Sequence, residues 1–138
     1  HRASLISDDE FAQIQSHGRR VPAELHAAIS SRIDRFIPHG ANLSLVQELA
    51  EQLHIPYERM AVTLQEHGNT SAASVGITLD RILRGSTSYE TVGKRDGEGR
   101  LTKGSEQVVV APLERGHNVM LLSFGAGTSW NYIAARTV

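Results

Sequence analysis

The 138-residue chain has the length of one domain, and its 40% hydrophobic content is enough to bury an ordinary core. Its 14 basic and 15 acidic side chains nearly cancel, which argues against the clustered basic surface of a nucleic-acid-binding protein. No apolar run approaches the roughly 20 residues of a membrane span, and the first residues lack the apolar stretch of a signal peptide. Since there is no cysteine, disulfides and thiolate metal sites within this chain are excluded, and a cytoplasmic protein with no membrane or nucleic-acid partner is expected.

Three segments carry apolar residues at helical spacing. They predict helices over residues 21–33, 44–53 and 71–83. Ser44 followed by Gln47 resembles a capping box, so the second of these helices is expected to begin at Ser44.

Short apolar runs between these helices, at 35–38 and 60–64, are typical of buried strands. The alternation predicts right-handed βαβ crossovers and a largely parallel sheet. After a polar, glycine-rich loop or hairpin at about 85–105, further strands are predicted at 106–113, 118–124 and 130–135, antiparallel where their links are short. The predicted fold class is therefore α/β, a βαβαβ unit followed by antiparallel strands in one mixed sheet with helices on its faces.

Polar residues that follow the predicted strands are candidates for a functional site, because ligands bind at the carboxyl ends of strands in open α/β sheets. His39 follows the first strand, and Asn69 follows the second strand 69 − 39 = 30 residues later, a separation of one βαβ unit. A turn formed by Gly125, Ala126 and Gly127 follows a later strand, and its backbone amides could approach a ligand closely.

Each candidate also has an ordinary structural explanation. A histidine at a strand end is more often a surface or core residue than a functional one, and Asn69 could serve only as a helix N-cap. The glycine-rich turn could simply join antiparallel strands. His67 is expected to be structural, and no metal site is predicted because the remaining histidines have no partner at metal-ligand spacing: His17, His26, His54 and His117.

Taken together, three stretches of the sequence resemble one family. "FIPHGAN" (36–42), "HGNTSAASVGITLDRIL" (67–83) and "LLSFGAGTSW" (121–130) are similar to motifs in the C-terminal half of β-ketoacyl-acyl carrier protein synthase III, in the thiolase-like superfamily. The family forms are P-H-Q-A-N, G-N-T-S-A-A-S and A-F-G-G-G-x-T-W, and order and spacing agree over about residues 18–85 and 117–135. The resemblance implies that residues 1–138 form one half of a thiolase-like fold with a five-stranded type of sheet, and it leaves the insertion at about 85–105 unexplained.

The resemblance also implies a Cys-His-Asn active site. In this family a cysteine is acylated by a thioester, and a malonyl thioester then loses carbon dioxide and attacks the acyl group. His39 and Asn69 match the family's histidine and asparagine, and the turn at Gly125, Ala126 and Gly127 matches the one that helps form the oxyanion hole for the acyl group. Imidazole and amide N–H groups can both donate to a thioester oxygen and stabilise an enolate. No cofactor is implied, since coenzyme A or phosphopantetheine thioesters are the substrates.

The sequence departs from the family pattern at several points. The nucleophilic cysteine is absent, because the family carries it in the N-terminal half, so we expect the chain alone to be inactive and to need that half as a partner. Gly40 stands where glutamine is usual, Ala126 replaces the middle glycine of the turn, and Ser129 replaces a threonine. Ser44 stands where an arginine often contacts the acidic carrier protein, which leaves carrier protein and coenzyme A thioesters both open.

Three functions therefore remain open from the sequence. The first is a condensing enzyme of fatty acid or polyketide biosynthesis, expected to be a homodimer when complete. The second is an acyltransferase of the same family that forms an ester or amide, with His39 as general base. The third is a non-catalytic half-site subunit that completes a partner.

Overall fold

The structure is a computed structural model that describes residues 7–17, 22–125 and 129–138. Its helices are α1 (Asp8–His17), α2 (Ala23–Ser30), α3 (Leu43–Gln52), α4 (Leu64–His67) and α5 (Ala73–Arg84), with a 3₁₀ turn at Tyr57–Arg59. Its strands are β1 (Arg35–Pro38), β2 (Thr87–Glu90), β3 (Lys94–Arg95), β4 (Leu101–Lys103), β5 (Gln107–Val110), β6 (Asn118–Gly125) and β7 (Ser129–Arg136). None of the helices in these ranges has the length and apolar character needed to cross a membrane.

The central sheet has the strand order β1–β6–β7. β1 pairs with β6 in parallel, in a register that sets Pro38 opposite Leu122, and β6 pairs with β7 antiparallel. A single parallel bridge between Phe36 and Met60 continues the sheet on the other side of β1. The prediction of a mixed α/β sheet with parallel crossovers is therefore confirmed.

The strand predicted at 60–64 is reduced to that bridge. Met60 pairs with β1, and the Ala61 N–H donates a 2.8 Å hydrogen bond to it, but Leu64 already begins α4. Met60, Ala61 and Val62 are at most 1% exposed. The apolar run thus indicated burial correctly, but a buried segment does not need a continuous ladder of hydrogen bonds. The central sheet accordingly has three paired strands and one bridge, where a five-stranded type was predicted.

Helix α3 begins one residue earlier than predicted, and the capping box is wrong. The N-cap is Asn42, whose Oδ1 accepts a 2.8 Å hydrogen bond from the Leu45 N–H. Asparagine caps helices at least as well as serine, so Ser44 lies inside the first turn. The predicted partner of Ser44, Gln47, is instead buried at 6% exposure and bonds elsewhere.

The segment after α5 forms a separate β arm, defined here as residues 87–110. β2 pairs antiparallel with β5, and β3 pairs with β4 at the tip. The strand predicted at 106–113 therefore belongs to this arm and not to the central sheet. Side chains along β2 and β5 alternate between buried and exposed, as expected for a strand pair with one face against the core. The buried face consists of Thr87, Tyr89, Val108 and Val110.

One hydrophobic core joins the central sheet, the helices and the arm. Tyr89 from the arm is 1% exposed, and its hydroxyl donates to the Tyr57 carbonyl at 3.0 Å. Burial raises the pKa of the Tyr89 hydroxyl, so it stays a donor. The buried apolar residues of the described chain are Ile33, Phe36, Ile37, Leu43, Val46, Ala50, Ile55, Met60, Ala61, Val62, Ile82, Tyr89, Val108, Val110, Leu113 and Val119.

Two glutamine side chains fasten the arm to the helical layer. Gln47 of α3 accepts from the Val92 N–H at 2.7 Å and donates to the Val92 carbonyl at 3.4 Å. Gln65 of α4 does the same with Glu90, at 2.8 and 2.9 Å. A carboxamide carries one acceptor and a donor group, as a peptide unit does. Each glutamine therefore acts like one residue of a neighbouring strand, Gln65 at the last residue of β2 and Gln47 beside the segment that follows it.

Gln47→Ala is predicted to loosen the arm. It would remove the partner of the Val92 N–H and carbonyl and leave a gap in a buried position, at a cost of about 1–3 kcal/mol in the free energy of unfolding. Urea unfolding measures the loss, and hydrogen exchange at the Val92 amide should become faster. Gln52→Ala is the matched control, because Gln52 lies on the same helix and bonds only at the surface to Glu48. Equal effects of the two substitutions would contradict the role given to Gln47.

Candidate functional site

His39 lies directly beyond β1, at the carboxyl end of the parallel pair. Its N–H donates to the Leu122 carbonyl at 2.7 Å, which continues the β1–β6 pairing by one residue. Its imidazole packs edge-on against the ring of Phe124, with ring centroids 5.3 Å apart and an angle of 62° between the planes. Backbone and ring are thus both held against β6, which fixes the side chain at the sheet edge where a site was predicted.

A buried serine links this sheet edge to helix α5. Ser74 is 5% exposed, and its Oγ lies 2.9 Å from Nδ1 of His39. The same oxygen accepts from the Gly40 N–H at 3.2 Å and donates to the Ser71 carbonyl at 2.8 Å. One hydroxyl group therefore joins the end of β1 to the first turn of α5 and holds Nδ1 of the imidazole.

Asn69 is held in a tight turn before α5. Gly68 adopts φ +67° and ψ −166°, a combination that is essentially limited to glycine. Oδ1 of Asn69 accepts from the Ser71 N–H at 2.9 Å, and Nδ2 donates to the Ala41 carbonyl at 3.2 Å. Ser71 itself has φ +55°, which is uncommon for a residue with a Cβ. The turn thus ties Asn69 to the segment that follows His39.

The N-cap explanation for Asn69 is wrong. The residue that precedes α5 is Ala72, and no side chain caps this helix. One hydrogen of the Asn69 amide group is used on Ala41, and a carboxamide NH₂ has two. The exposed Asn69 side chain therefore retains a second N–H group, which can donate a hydrogen bond to a ligand oxygen.

A cleft of about 500 Å³ opens beside His39. Its walls come from the start of α5, from β6 and from β7. Gly125 lines this cleft with His39, whereas Asn69 is not among its described lining residues. Ala126 and Gly127 lie outside the described residues. The lining residues are His39, Ser71, Ala72, Val75, Leu121, Leu122, Ser123, Phe124, Gly125, Asn131, Tyr132 and Ile133.

Ser74 is the residue that sequence reasoning missed. The run of small residues that follows Asn69 is typical of a helix face that packs closely against its neighbours. In the described chain Ala72, Ala73 and Gly76 are exposed, and an added Cβ at Gly76 would meet no atom within 4 Å. Ser74 is the buried member of the set. No local pattern identifies it, because the Gly40 N–H and the imidazole of His39 that it contacts lie 34 and 35 residues away in the sequence.

A second, smaller cleft of about 230 Å³ lies beside Ser44. Glu48, Glu51 and Lys94 also line it. The hydrogen bond from Lys94, and then that from Tyr57, lowers the pKa of the Glu51 carboxyl group, so Glu51 is ionised at neutral pH. In the part of the chain that the structure describes, no group of three or more histidine or carboxylate side chains could hold a metal ion.

Comparison with known proteins supports the same interpretation. Residues 25–90 match the family described as 3-oxoacyl-[acyl-carrier-protein (ACP)] synthase III C terminal. The β-ketoacyl-[acyl-carrier-protein] synthase III of Coxiella burnetii (strain RSA 493 / Nine Mile phase I) is 36% identical over 100 residues, which are 72% of this chain and 24% of that protein. The chain thus spans about a quarter of the length of the curated relatives it matches.

Solved structures agree with the sequence matches. The crystal structure of 3-oxoacyl-(acyl carrier protein) synthase III from Pseudomonas aeruginosa PAO1 aligns with a TM-score of 0.57 and 28% identity, over 94% of this chain and 32% of that one. The synthase III structure from Aquifex aeolicus VF5 aligns with a TM-score of 0.56 and 28% identity, over 82% and 30% of the two chains. The chain is therefore a β-ketoacyl-acyl carrier protein synthase III-like protein and corresponds to part of the C-terminal half of that thiolase-like fold.

Proposed function

We propose that this chain supplies the histidine and the asparagine of a condensing enzyme that joins an acyl thioester to a malonyl thioester. The observation that carries the proposal is the placement of His39, which is fixed at the sheet edge in the wall of a cleft. Asn69 is tied to Ala41, two residues beyond His39. The motif residues that match the family thus lie on neighbouring segments, as a shared site requires.

The chemistry needs donors where negative charge develops. When a malonyl thioester loses carbon dioxide, the electron pair of the broken C–C bond moves into an enolate whose oxygen carries the charge. Preorganised N–H groups stabilise such an oxyanion, and His39 and Asn69 are the proposed donors. The enolate carbon then attacks the acyl-cysteine carbonyl and the thiolate leaves. The turn at Gly125, Ala126 and Gly127 is proposed to stabilise the oxyanion of that second step.

The nucleophile must come from outside this sequence. The chain has no cysteine, and its match covers 24% of the curated relatives. We propose that the N-terminal half of the same fold supplies the cysteine, as a further segment or as a partner chain.

The surroundings of Ser44 disfavour the docking of an acidic carrier protein at this place. The family often has an arginine there, whereas Ser44 shares its cleft with Glu48 and the ionised Glu51. Carboxylates at this place would repel an acidic partner, and the nearby Lys94 is already paired with Glu51.

A second candidate is an acyltransferase that forms an ester or an amide. It is favoured by the contact between Nδ1 of His39 and Ser74, because an imidazole held at one nitrogen can use the other as a general base toward an alcohol or amine. The two candidates differ in whether carbon dioxide is released.

Asn69→Ala, made in the protein that contains the cysteine, should slow decarboxylation of malonyl thioester by about 100- to 1000-fold, since one donor to the enolate is lost. Acylation of the cysteine should change far less, because no enolate forms in that step. His39→Ala should show a similar loss of decarboxylation. Labelled thioesters allow carbon dioxide release and acylation to be measured separately.

Asn118→Ala is the matched control, because Asn118 begins β6 at the end of the strand away from the cleft. If Asn69→Ala spares carbon dioxide release but abolishes transfer to an alcohol or amine, the acyltransferase replaces the condensing enzyme. If neither site substitution affects either reaction, the chain is a non-catalytic subunit.

Gly68→Ala and Gly76→Ala should have opposite effects on stability. Neither added Cβ would meet an atom within 4 Å, so only backbone conformation differs. At Gly68 the left-handed φ makes alanine cost about 1–3 kcal/mol, and the shifted turn should also slow decarboxylation. At Gly76, inside α5, alanine should stabilise by about 0.5–1 kcal/mol. Thermal unfolding with both variants tests this, and equal signs would contradict it.

The chain by itself should neither become acylated nor release carbon dioxide, because removal of the nucleophile costs orders of magnitude in rate. Addition of the cysteine-containing half should restore both reactions. Turnover by the isolated chain would refute the assignment of the nucleophile to the missing half.

A further inference from the structure

The hydroxyl group of Ser74 contacts three groups, and their hydrogen-bonding capacities differ. The Ser71 carbonyl can only accept, and the Gly40 N–H can only donate. Nδ1 of His39 can do either, depending on the tautomer. Ser74 is 5% exposed, so water contributes little to this arrangement and the protein partners decide it.

We propose that Ser74 is a positioning residue that fixes the tautomer of His39, with the proton on Nδ1 and the lone pair on Nε2. A serine hydroxyl has one hydrogen and two lone pairs. Its hydrogen lies toward the Ser71 carbonyl at 2.8 Å, and one lone pair receives the Gly40 N–H at 3.2 Å. The remaining lone pair faces Nδ1 at 2.9 Å, and a hydrogen bond forms there only if Nδ1 carries a hydrogen.

The opposite assignment leaves an unfavourable contact. If the Ser74 hydroxyl donated to Nδ1, two oxygen atoms, Oγ of Ser74 and the Ser71 carbonyl, would stand 2.8 Å apart with no hydrogen between them. The Gly40 N–H offers no alternative, because it supplies its own hydrogen. Only the tautomer protonated at Nδ1 satisfies every group around this oxygen.

No neighbouring charge competes with this hydrogen bond in the described site. β6 contributes Phe124 and the Leu122 carbonyl around His39, and α5 contributes Ser74. Among the described residues that line the cleft with His39, Tyr132 of β7 is the other titratable group, and none is a carboxylate, lysine or arginine. The proton on the ring is therefore placed by hydrogen bonding and not by an ion pair.

The assigned tautomer makes neutral His39 a proton acceptor at Nε2. This consequence rests on the proposed function. Nε2 would take the proton of the cysteine thiol: the S–H bond breaks, an N–H bond forms, and the products are a thiolate and an imidazolium. The imidazolium has N–H groups at both ring nitrogens. Nδ1 keeps Ser74. When the cysteine thiolate attacks the acyl thioester, the C–S bond of that thioester breaks and the departing thiolate takes its proton from solvent. The imidazolium therefore remains, and Nε2–H can donate to the enolate oxygen beside Asn69.

Nitrogen NMR of the protein labelled in its histidines tests the tautomer directly, without any substrate. The spectrum is recorded where the rings are neutral, and the His39→Asn variant identifies the signal of His39 among the seven histidines. Wild-type His39 should carry its proton on Nδ1. Ser74→Ala should shift the population toward the Nε2 form, whereas Ser74→Thr, which keeps a hydroxyl group, should retain the wild-type signature.

Ser71→Ala is the control for this measurement, because its backbone carbonyl and not its hydroxyl holds Ser74. A wild-type proton on Nε2 would overturn the proposal even if Ser74→Ala failed to fold. An unchanged tautomer in folded Ser74→Ala would overturn it as well.

Decarboxylation by the His39→Ala variant separates this inference from the proposed function. If the tautomer is as assigned but His39→Ala keeps decarboxylation, the condensing function fails and the tautomer assignment stands.

Discussion

The arrangement of the site depends on one buried hydrogen-bonding oxygen, Oγ of Ser74. It connects the segment after β1 to the first turn of α5 through His39, Gly40 and Ser71. The segments it joins are fixed by different forces: His39 by pairing of its backbone with β6, and Ser71 by an unusual backbone turn that follows Gly68. Because buried polar groups are costly without partners, each of these connections constrains the others.

The β arm attaches to the core without lining the cleft beside His39. Its ends leave and rejoin the core near α5 and β6, and closing a long loop costs little more than closing a short one. The buried face of β2 and β5 supplies apolar area. Gln65 satisfies the backbone of Glu90 at the end of β2, and Gln47 satisfies that of Val92 just beyond it. The arm docks on α3 and α4, on residues other than those that line the cleft with His39.

The sequence predicted the parts of this structure that depend on local pattern or on motif. Helix α5, the parallel placement of Met60 beside β1, and the position of His39 at a strand end follow from periodicity and topology. The parallel pairing of β1 with β6 was not predicted. Asn69 was identified by its motif, although its N-cap explanation is wrong. The pairing partner of the 106–113 segment could not be predicted, because alternation indicates a buried face but not which strand lies beside it.

Ser74 escaped prediction for a related reason. Its sequence neighbours are small, and a serine among small residues is as typical of a helix that packs closely as of a serine that forms buried hydrogen bonds. Its role appears only when the strand end and the helix start meet in space, since the Gly40 N–H and the imidazole come from 34 and 35 residues away. Because Oγ of Ser74 carries a single hydrogen, it determines which ring nitrogen of His39 is protonated. No sequence pattern specifies that tautomer.

His39 and Asn69 therefore differ as hydrogen-bond donors, although both match motifs of the same family. An amide donates its N–H at any ordinary pH, whereas an imidazole held by Ser74 at Nδ1 can donate from Nε2 only after it has gained a proton. In the proposed reaction that proton arrives from the nucleophile, so formation of the thiolate also prepares the donor for the enolate. The histidine thus couples the first chemical step to the second, and the asparagine supplies a donor that is independent of both.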